Sequence, residues 1–327
     1  MSDSAEEDGV LTAETDDEGE ERENGSEEKD NAVHDQIESC PLTQELIAKS
    51  LSLLCRTANG LSHAYVRLDL KNRRLTDLTL LASFVHLRYL DISSNQLSDF
   101  SPLAGLTQLL WVKGDGNLLH GFEEQPFSRF AYLQWLSFAS NRLLAVKGLG
   151  GPALETLNLM GNGIQTMKGL EYHNLNNLVT LELRGNHLET TNYIYLPNLR
   201  HLYLAQNNIK QLEGLEKLEC LQTLHLRENQ LETLDGLSAK MKCLQYLNIR
   251  GNLISSMKGL QALVSVGKTL KALVLLDNPL AKTDDYRLYV LARLSQMERL
   301  DNDLVTEEEK SEAVEKEFED ESNEENK

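Results

Sequence analysis

Cysteine is scarce in this chain, with 4 residues in 327. That density does not describe a disulfide framework. No Cys-rich block of the kind that caps secreted repeat proteins stands at either end. Long apolar runs are also missing. No stretch approaches the 18 residues that would suggest a membrane-spanning helix. The first residues, MSDSAEEDG, have neither the basic start nor the apolar run of a secretory signal. These absences point to the cytosol, where the sequon Asn24-Gly25-Ser26 carries no meaning. Catalytic signatures are lacking too. No Ser/His/Asp or Cys/His set is signalled. Gly148-Leu149-Gly150-Gly151 lacks the Lys-Ser/Thr ending and the strand–helix context of a phosphate loop. The residues imply no enzyme and no cofactor, and they suggest neither a small-molecule substrate nor a nucleic-acid or membrane partner.

The formal net charge is −19, but it is unevenly spread. Residues 1–38 hold 16 acids against 2 bases, and residues 306–327 hold 11 against 3. The body keeps 24 acids and 27 bases and is close to neutral. The first segment, almost free of large apolar groups, reads as a disordered acidic tail. It is either a solubilising tail or a docking segment for a basic partner. The last segment reads as a solvated acidic tail, a frayed helix or a coil.

Between the tails lies a repeat. The pattern LxxLxLxxNxL is clearest in LYLAQNNIKQLEGLEKLECLQTLHLRENQL, which runs from Leu202 to Leu231. Aligned copies place Asn at 95, 117, 141, 162, 186, 207, 229, 252 and 278. Arg73 takes that place in a degenerate copy upstream. The spacing, between 21 and 26 residues, is that of a leucine-rich-repeat solenoid. In Leu202-Tyr203-Leu204 the leucines face one way and Tyr203 the other, because strand side chains alternate. The Asn carboxamide, both donor and acceptor, suits a column that satisfies the backbone of neighbouring turns. Ile209, Leu212, Leu215, Leu218 and Leu221 recur every third residue, as a 3₁₀-like return arc requires. Gly148, Gly169, Gly214, Gly236 and Gly259 each lie seven residues past their Asn, where the arc must bend, and positive φ is the expectation there. One coil buries too little apolar area to offset the ordering of its residues. The array must therefore fold as a unit with capped ends.

The predicted fold class is α/β: a solenoid with a curved parallel sheet on its concave face and helical caps. Residues 39–64 read as the N-terminal helical cap. Thr43 is its N-cap, Leu42 and Ile47 form a hydrophobic staple, Leu46, Ile47, Leu51 and Leu54 make its apolar stripe, and Asn59-Gly60 is its stop. Residues 65–283 form the array. Residues 284–305 form the C-terminal cap, a helix opened by Thr283-Asp284-Asp285. Its inner stripe is Tyr286, Val290, Leu291, Leu294 and Met297, and Leu300-Asp301 closes it.

The sheet's bare face is the predicted partner site. Tyr89, Trp111 and Trp135 fall in one column there and include both tryptophans of the chain. Further on, His201, Tyr203, His225 and Tyr246 sit among Arg184, Arg227 and Arg250. Aromatics and arginine are the types enriched at binding hot spots, although aromatics also simply suit strands. His201 and His225 lie diagonally across neighbouring strands near Glu182 but lack ligand spacing, so no metal is expected. Cys220 and Cys243 each precede the first leucine of successive repeats and read as stacked, buried, reduced thiols.

The period and its Gly-Leu turn resemble a class of intracellular leucine-rich-repeat proteins. That class includes a protein phosphatase regulatory subunit, an acidic nuclear phosphoprotein and an outer-arm dynein light chain. The stretch NPLAKTDDYRLYVLARLSQMERLD is similar to their shared C-terminal cap. SLLCRTANGLSHAY and LLWVKGDGN, which depart from the repeat, resemble more specifically the leucine-rich-repeat family of axonemal radial spokes. That resemblance implies a non-enzymatic scaffold of the motile cilium or flagellum, serving sperm motility, with other radial spoke proteins as partners. The alternative is a regulatory subunit of a soluble enzyme such as a phosphatase. A histone-type acidic chaperone fits less well, because the short C-terminal tail is interrupted by Lys310, Lys316 and Lys327.

Overall fold

The computed structural model describes residues 38–325 apart from 58, 59, 284, 285 and 295, with side chains described as far as 316. The expected acidic tail up to residue 37, the Asn59 helix stop and the Asp284-Asp285 helix start lie outside the described residues. The sheet runs strictly in sequence order. Its strands are β1 (Leu51–Arg56), β2 (His63–Asp69), β3 (Tyr89–Asp91), β4 (Trp111–Lys113), β5 (Trp135–Ser137), β6 (Thr156–Asn158), β7 (Thr180–Glu182), β8 (His201–Tyr203), β9 (Thr223–His225), β10 (Tyr246–Asn248), β11 (Ala272–Val274), β12 (Arg299–Leu300) and β13 (Asp303–Leu304). Pairing is antiparallel between β1 and β2 and between β12 and β13, and parallel everywhere between. The chain is a leucine-rich-repeat solenoid, as its period predicts.

The three-residue strands bury their central residue and turn the flanking side chains to the open face, where Ser137 alone among them is fully covered, and in most coils a leucine or isoleucine is buried just beyond. Leu202 and Leu204 are fully buried, whereas Tyr203 between them is half-exposed. The asparagines form the expected ladder. Asn207 Nδ2 donates to Leu204 O of its own coil at 3.1 Å and to Leu183 O of the coil before at 3.0 Å. Its Oδ1 accepts from Leu188 N at 3.0 Å. Asn186 and Asn229 repeat these contacts. Each carboxamide therefore closes its own turn and fastens it to its neighbour, as the pairing of buried backbone groups requires. Return arcs such as Thr79–Ser83, Ser101–Gly105 and Leu215–Lys217 are 3₁₀ helices.

Four of the five arc glycines have positive φ: Gly148, Gly169, Gly214 and Gly236. Gly236, at +111°, also leaves no room for a side chain, since a Cβ there would overlap Leu212 O. Gly259 departs from the expectation. It lies within the 3₁₀ helix Met257–Val266 without a positive φ, and close packing is its reason, for a Cβ would meet Glu232 O at 2.7 Å. A second left-handed position was not anticipated. The residue before every ladder asparagine has positive φ, from Ser94, Gly116 and Ser140 through Gln206, Glu228 and Asp277. Only some of these are glycine. The turn therefore holds polar residues in a conformation that ordinarily costs about 1–2 kcal/mol each.

The third and fourth coils break the pattern in a matched way. Gly114 stands where other coils bury leucine or isoleucine, and Phe138 fills that position in the next coil. A Cβ on Gly114 would overlap the Phe138 ring. That ring packs at 5.0 Å from Phe100 and 4.9 Å from Phe127, edge to face, within a fully buried aromatic cluster.

The caps differ from expectation. Thr43 does cap a helix, accepting from Leu46 N at 3.3 Å, with Leu42 and Ile47 buried. That helix, α1, spans only Gln44–Ser50. Leu51 to Arg56 leaves it as β1, and Leu54, expected on the apolar stripe, is 56% exposed opposite Tyr65. The physical reason is the edge. A helix there would leave the outer row of β2 amides and carbonyls unpaired, whereas a hairpin satisfies it. Gly60, at φ +70°, serves that hairpin's turn. At the other end, α2 (Tyr286–Arg293) lies on the last coil with Val290, Leu291, Leu294 and Met297 buried. Asp301 accepts from Leu275 N at 2.7 Å and Leu276 N at 3.1 Å and so ends the ladder. The C-terminal segment is not simply solvated. It is helix α3 (Glu307–Glu325). Thr306 and Glu309 cap it reciprocally, Glu309 pairs with Arg287 Nε at 2.8 Å, and Ala313 is buried. The hydrogen bond from Arg287 holds the Glu309 carboxyl down at about 2.

Candidate partner-binding face

All ten predicted partner-binding residues lie in the strands' outward columns or the row just beyond them. The strand register puts Tyr89 beside Trp111, and Trp111 beside Trp135. The two indoles stack at 4.6 Å with 11° between their planes, and each remains half-exposed. Tyr89 is aligned with them one strand away; the stacked contact belongs to the tryptophans. Gly114 and Phe138 follow the two tryptophans by three residues, so the least regular part of the core adjoins the most aromatic part of the face.

The second group is more tightly knit than the sequence suggested. His225 lies between Tyr203 and Tyr246, stacked on each at 4.9 Å. His201 is one strand back, its Nδ1 3.2 Å from Thr223 Oγ1. Burial, then the neighbouring His201, drives His225 down to about 4 from the usual 6.5. Burial, then Arg200, lowers His201 as well. Glu182 shifts up through burial, opposed by the Arg184 amide that donates to it at 2.9 Å. His225 is thus a neutral aromatic at physiological pH. Its depressed pKa supports the fold above about 6.5, and that support is lost as pH falls from 6.5 towards 4, where the unfolded chain takes a proton that the folded chain refuses. We expect the thermal midpoint of the unmodified chain to fall more steeply over that window than that of His225→Phe. Parallel curves would contradict this.

The three arginines form a separate row beyond the strands, each already engaged. Arg184 Nε donates to Gln206 Oε1 at 2.9 Å, and Gln206 passes on to Glu228 at 2.7 Å. Arg227 meets Glu228 at 2.8 Å, and Arg250 meets Asp277 at 2.6 Å. Three of these partners, Gln206, Glu228 and Asp277, are the left-handed residues that precede asparagine. A Gln, Glu or Asp where other coils carry Gly or Ser was the signal that could have revealed this row. Exposed pairs of this kind are worth about 0–1 kcal/mol, so an incoming carboxylate can replace them. A further cluster was also missed: Ser137 and Lys113 flank Asp115, which accepts from Ala139 N at 2.9 Å.

Strands β6 and β7 separate the two groups with small polar side chains, Thr156, Asn158 and Thr180. At roughly 4.8 Å per strand, Trp111 on β4 and Tyr246 on β10 are separated by about 29 Å measured along the sheet. Such a face suits an extended protein surface better than a small molecule. Among the described residues, no group of three or more His, Cys, Asp or Glu is placed to hold a metal, and no helix is long and apolar enough to cross a membrane.

Comparison with known proteins places the chain in a family. The family model "Leucine-rich repeat" matches residues 198–327, and a two-copy leucine-rich-repeat model matches 66–105. A leucine-rich repeat-containing protein 23 from Bos taurus is 45% identical over 277 residues, covering 85% of this chain and 80% of its own length. The chain belongs to the leucine-rich repeat-containing protein 23 family. Its relative from Mus musculus is 47% identical over 302 residues, covering 92% of this chain and 87% of its own. Among solved structures, a leucine-rich-repeat protein of Leptospira interrogans is similar at a TM-score of 0.55 and 26% identity, over 72% of this chain and 66% of that one. A chain from the octameric complex of Latrophilin 3, Unc5D and FLRT2 is similar at 0.58 and 21% identity, over 72% and 83%; that likeness concerns the fold. Fold and kinship together make this a protein-interaction scaffold. They fit a protein without catalytic activity.

Proposed function

We propose that this chain is a non-enzymatic scaffold of the axoneme of motile cilia and flagella. It is a radial spoke component that holds other spoke proteins against the open face of its sheet and is needed for sperm motility. The observation that carries the reading is the paired-indole face, whose Trp111 lies in LLWVKGDGN, one of the two stretches that depart from the repeat's usual residues and resemble the radial-spoke family. The asparagine ladder supports it mechanically, because every coil is fastened to the next and a load on the face passes along the whole array. The cytoskeleton of the cilium or flagellum is the proposed location. The C-terminal cap, shared in pattern with a phosphatase regulatory subunit, favours the second reading: a regulator of a soluble enzyme using the same face.

One experiment separates the two. The tagged full-length chain is expressed in ciliated cells, which are then extracted with detergent. Retention on the axoneme, with spoke proteins recovered on affinity purification, is the expected result. A soluble chain that recovers a phosphatase in its place would overturn it.

A further inference from the structure

Cys220 and Cys243 occupy the same place in successive coils, one residue before the first leucine of each. The sequence led us to expect buried thiols, but both are half-exposed. Contacts between the two coils bracket the pair. One residue upstream, Lys242 Nζ meets Glu219 Oε2 at 2.7 Å. Two residues downstream, Gln245 N donates to Gln222 O at 2.9 Å. Strands β9 and β10 then continue in register, Thr223 beside Tyr246. Backbone register is therefore set just downstream of the cysteines, and the ion pair spans the same two coils just upstream. Neighbouring strands stand roughly 4.8 Å apart, within the span of about 4.4–6.8 Å between α-carbons that a disulfide requires. Both thiols are also within electrostatic reach of the Lys242 ammonium, which Glu219 holds above its usual pKa.

We propose that Cys220 and Cys243 form a reversible dithiol–disulfide pair, oxidised by hydroperoxides, which clips two neighbouring coils together. One sulfur attacks the peroxide O–O bond, becomes a sulfenic acid and releases water. The second sulfur displaces the hydroxyl, which leaves with a proton as a second water, and the S–S bond forms. Two thiols lose two hydrogens, and hydrogen peroxide is reduced to two waters. A small dithiol reverses the step by exchange. Intracellular disulfides outside hyperthermophiles are usually transient and redox-sensing, which matches a half-exposed pair with no framework around it. The clip lies three residues upstream of Thr223 and Tyr246, so it fixes the spacing of the coils that carry the His225 stack. Cys40 and Cys55 belong to the N-terminal cap and serve as internal controls.

The full-length chain is exposed to hydrogen peroxide, alkylated with iodoacetamide and analysed by intact mass and peptide mapping. The expected result is two alkyl groups taken up in place of four, and a peptide linking Cys220 to Cys243. Dithiothreitol reverses it, Cys220→Ser abolishes it, and it persists in a Cys40→Ser, Cys55→Ser background. Absence of that linked peptide, or first bonds formed through Cys40 or Cys55 or between chains, would overturn the proposal.

Discussion

Phe138→Ala lowers the unfolding free energy by about 3–5 kcal/mol, the usual cost of emptying a fully buried aromatic site. The position is sensitive for a reason specific to this chain. The Phe138 ring reaches across to the coil before it and fills the space that Gly114 leaves open. It also makes edge contacts with Phe100 and Phe127. Three coils therefore lose packing when it is removed, and a repeat array transmits that loss to its neighbours. Gly114→Leu fails for the converse reason. The added side chain meets the ring, and overpacking of this kind costs about 1–3 kcal/mol. Gly114→Leu combined with Phe138→Leu restores the ordinary repeat in both coils. The double variant is expected to lose less than the sum of its two single changes, by about 1–3 kcal/mol. Equilibrium urea unfolding of the three variants measures this. Strict additivity would mean that the two positions do not share one space.

The period made the array legible because a coil has few ways to be built. Leu202 and Leu204 had to face inward together, and Asn207 had to reach the backbone of the coil before it. The same alternation placed Trp111, Trp135 and Tyr203 on the open face. Ring contacts were harder to read. They depend on side-chain angles across strands, so the stack of His225 between two tyrosines emerged only from the structure. Leu51 and Leu54 were ambiguous, since a short apolar run suits helix and strand alike. The unpaired edge of β2 decided between them, and that edge is a tertiary fact. The left-handed turns at Ser140, Gln206 and Glu228 were hidden because those residue types do not announce positive φ as glycine does. The docking of α3 depends on Arg287 finding Glu309, 22 residues away in sequence, which no local pattern encodes.

Trp111→Ala together with Trp135→Ala should abolish most partner affinity and leave the fold almost untouched. The core does not depend on the indoles, because Val112 and Leu136, the fully buried centres of the same strands, point the other way. Self-stacking of the indoles contributes about 0.5–1.5 kcal/mol to the chain at most. Their contribution to an interface is larger. A tryptophan at the centre of a binding face typically costs about 2 kcal/mol or more on truncation, which is roughly thirty-fold in affinity. The decisive measurement is the affinity of the full-length double variant for the proteins that co-purify with the unmodified chain, taken beside its far-ultraviolet circular dichroism and unfolding midpoint. A loss of about thirty-fold or more with unchanged spectra is the predicted result; undiminished affinity in a folded double variant would show that the partner is gripped elsewhere.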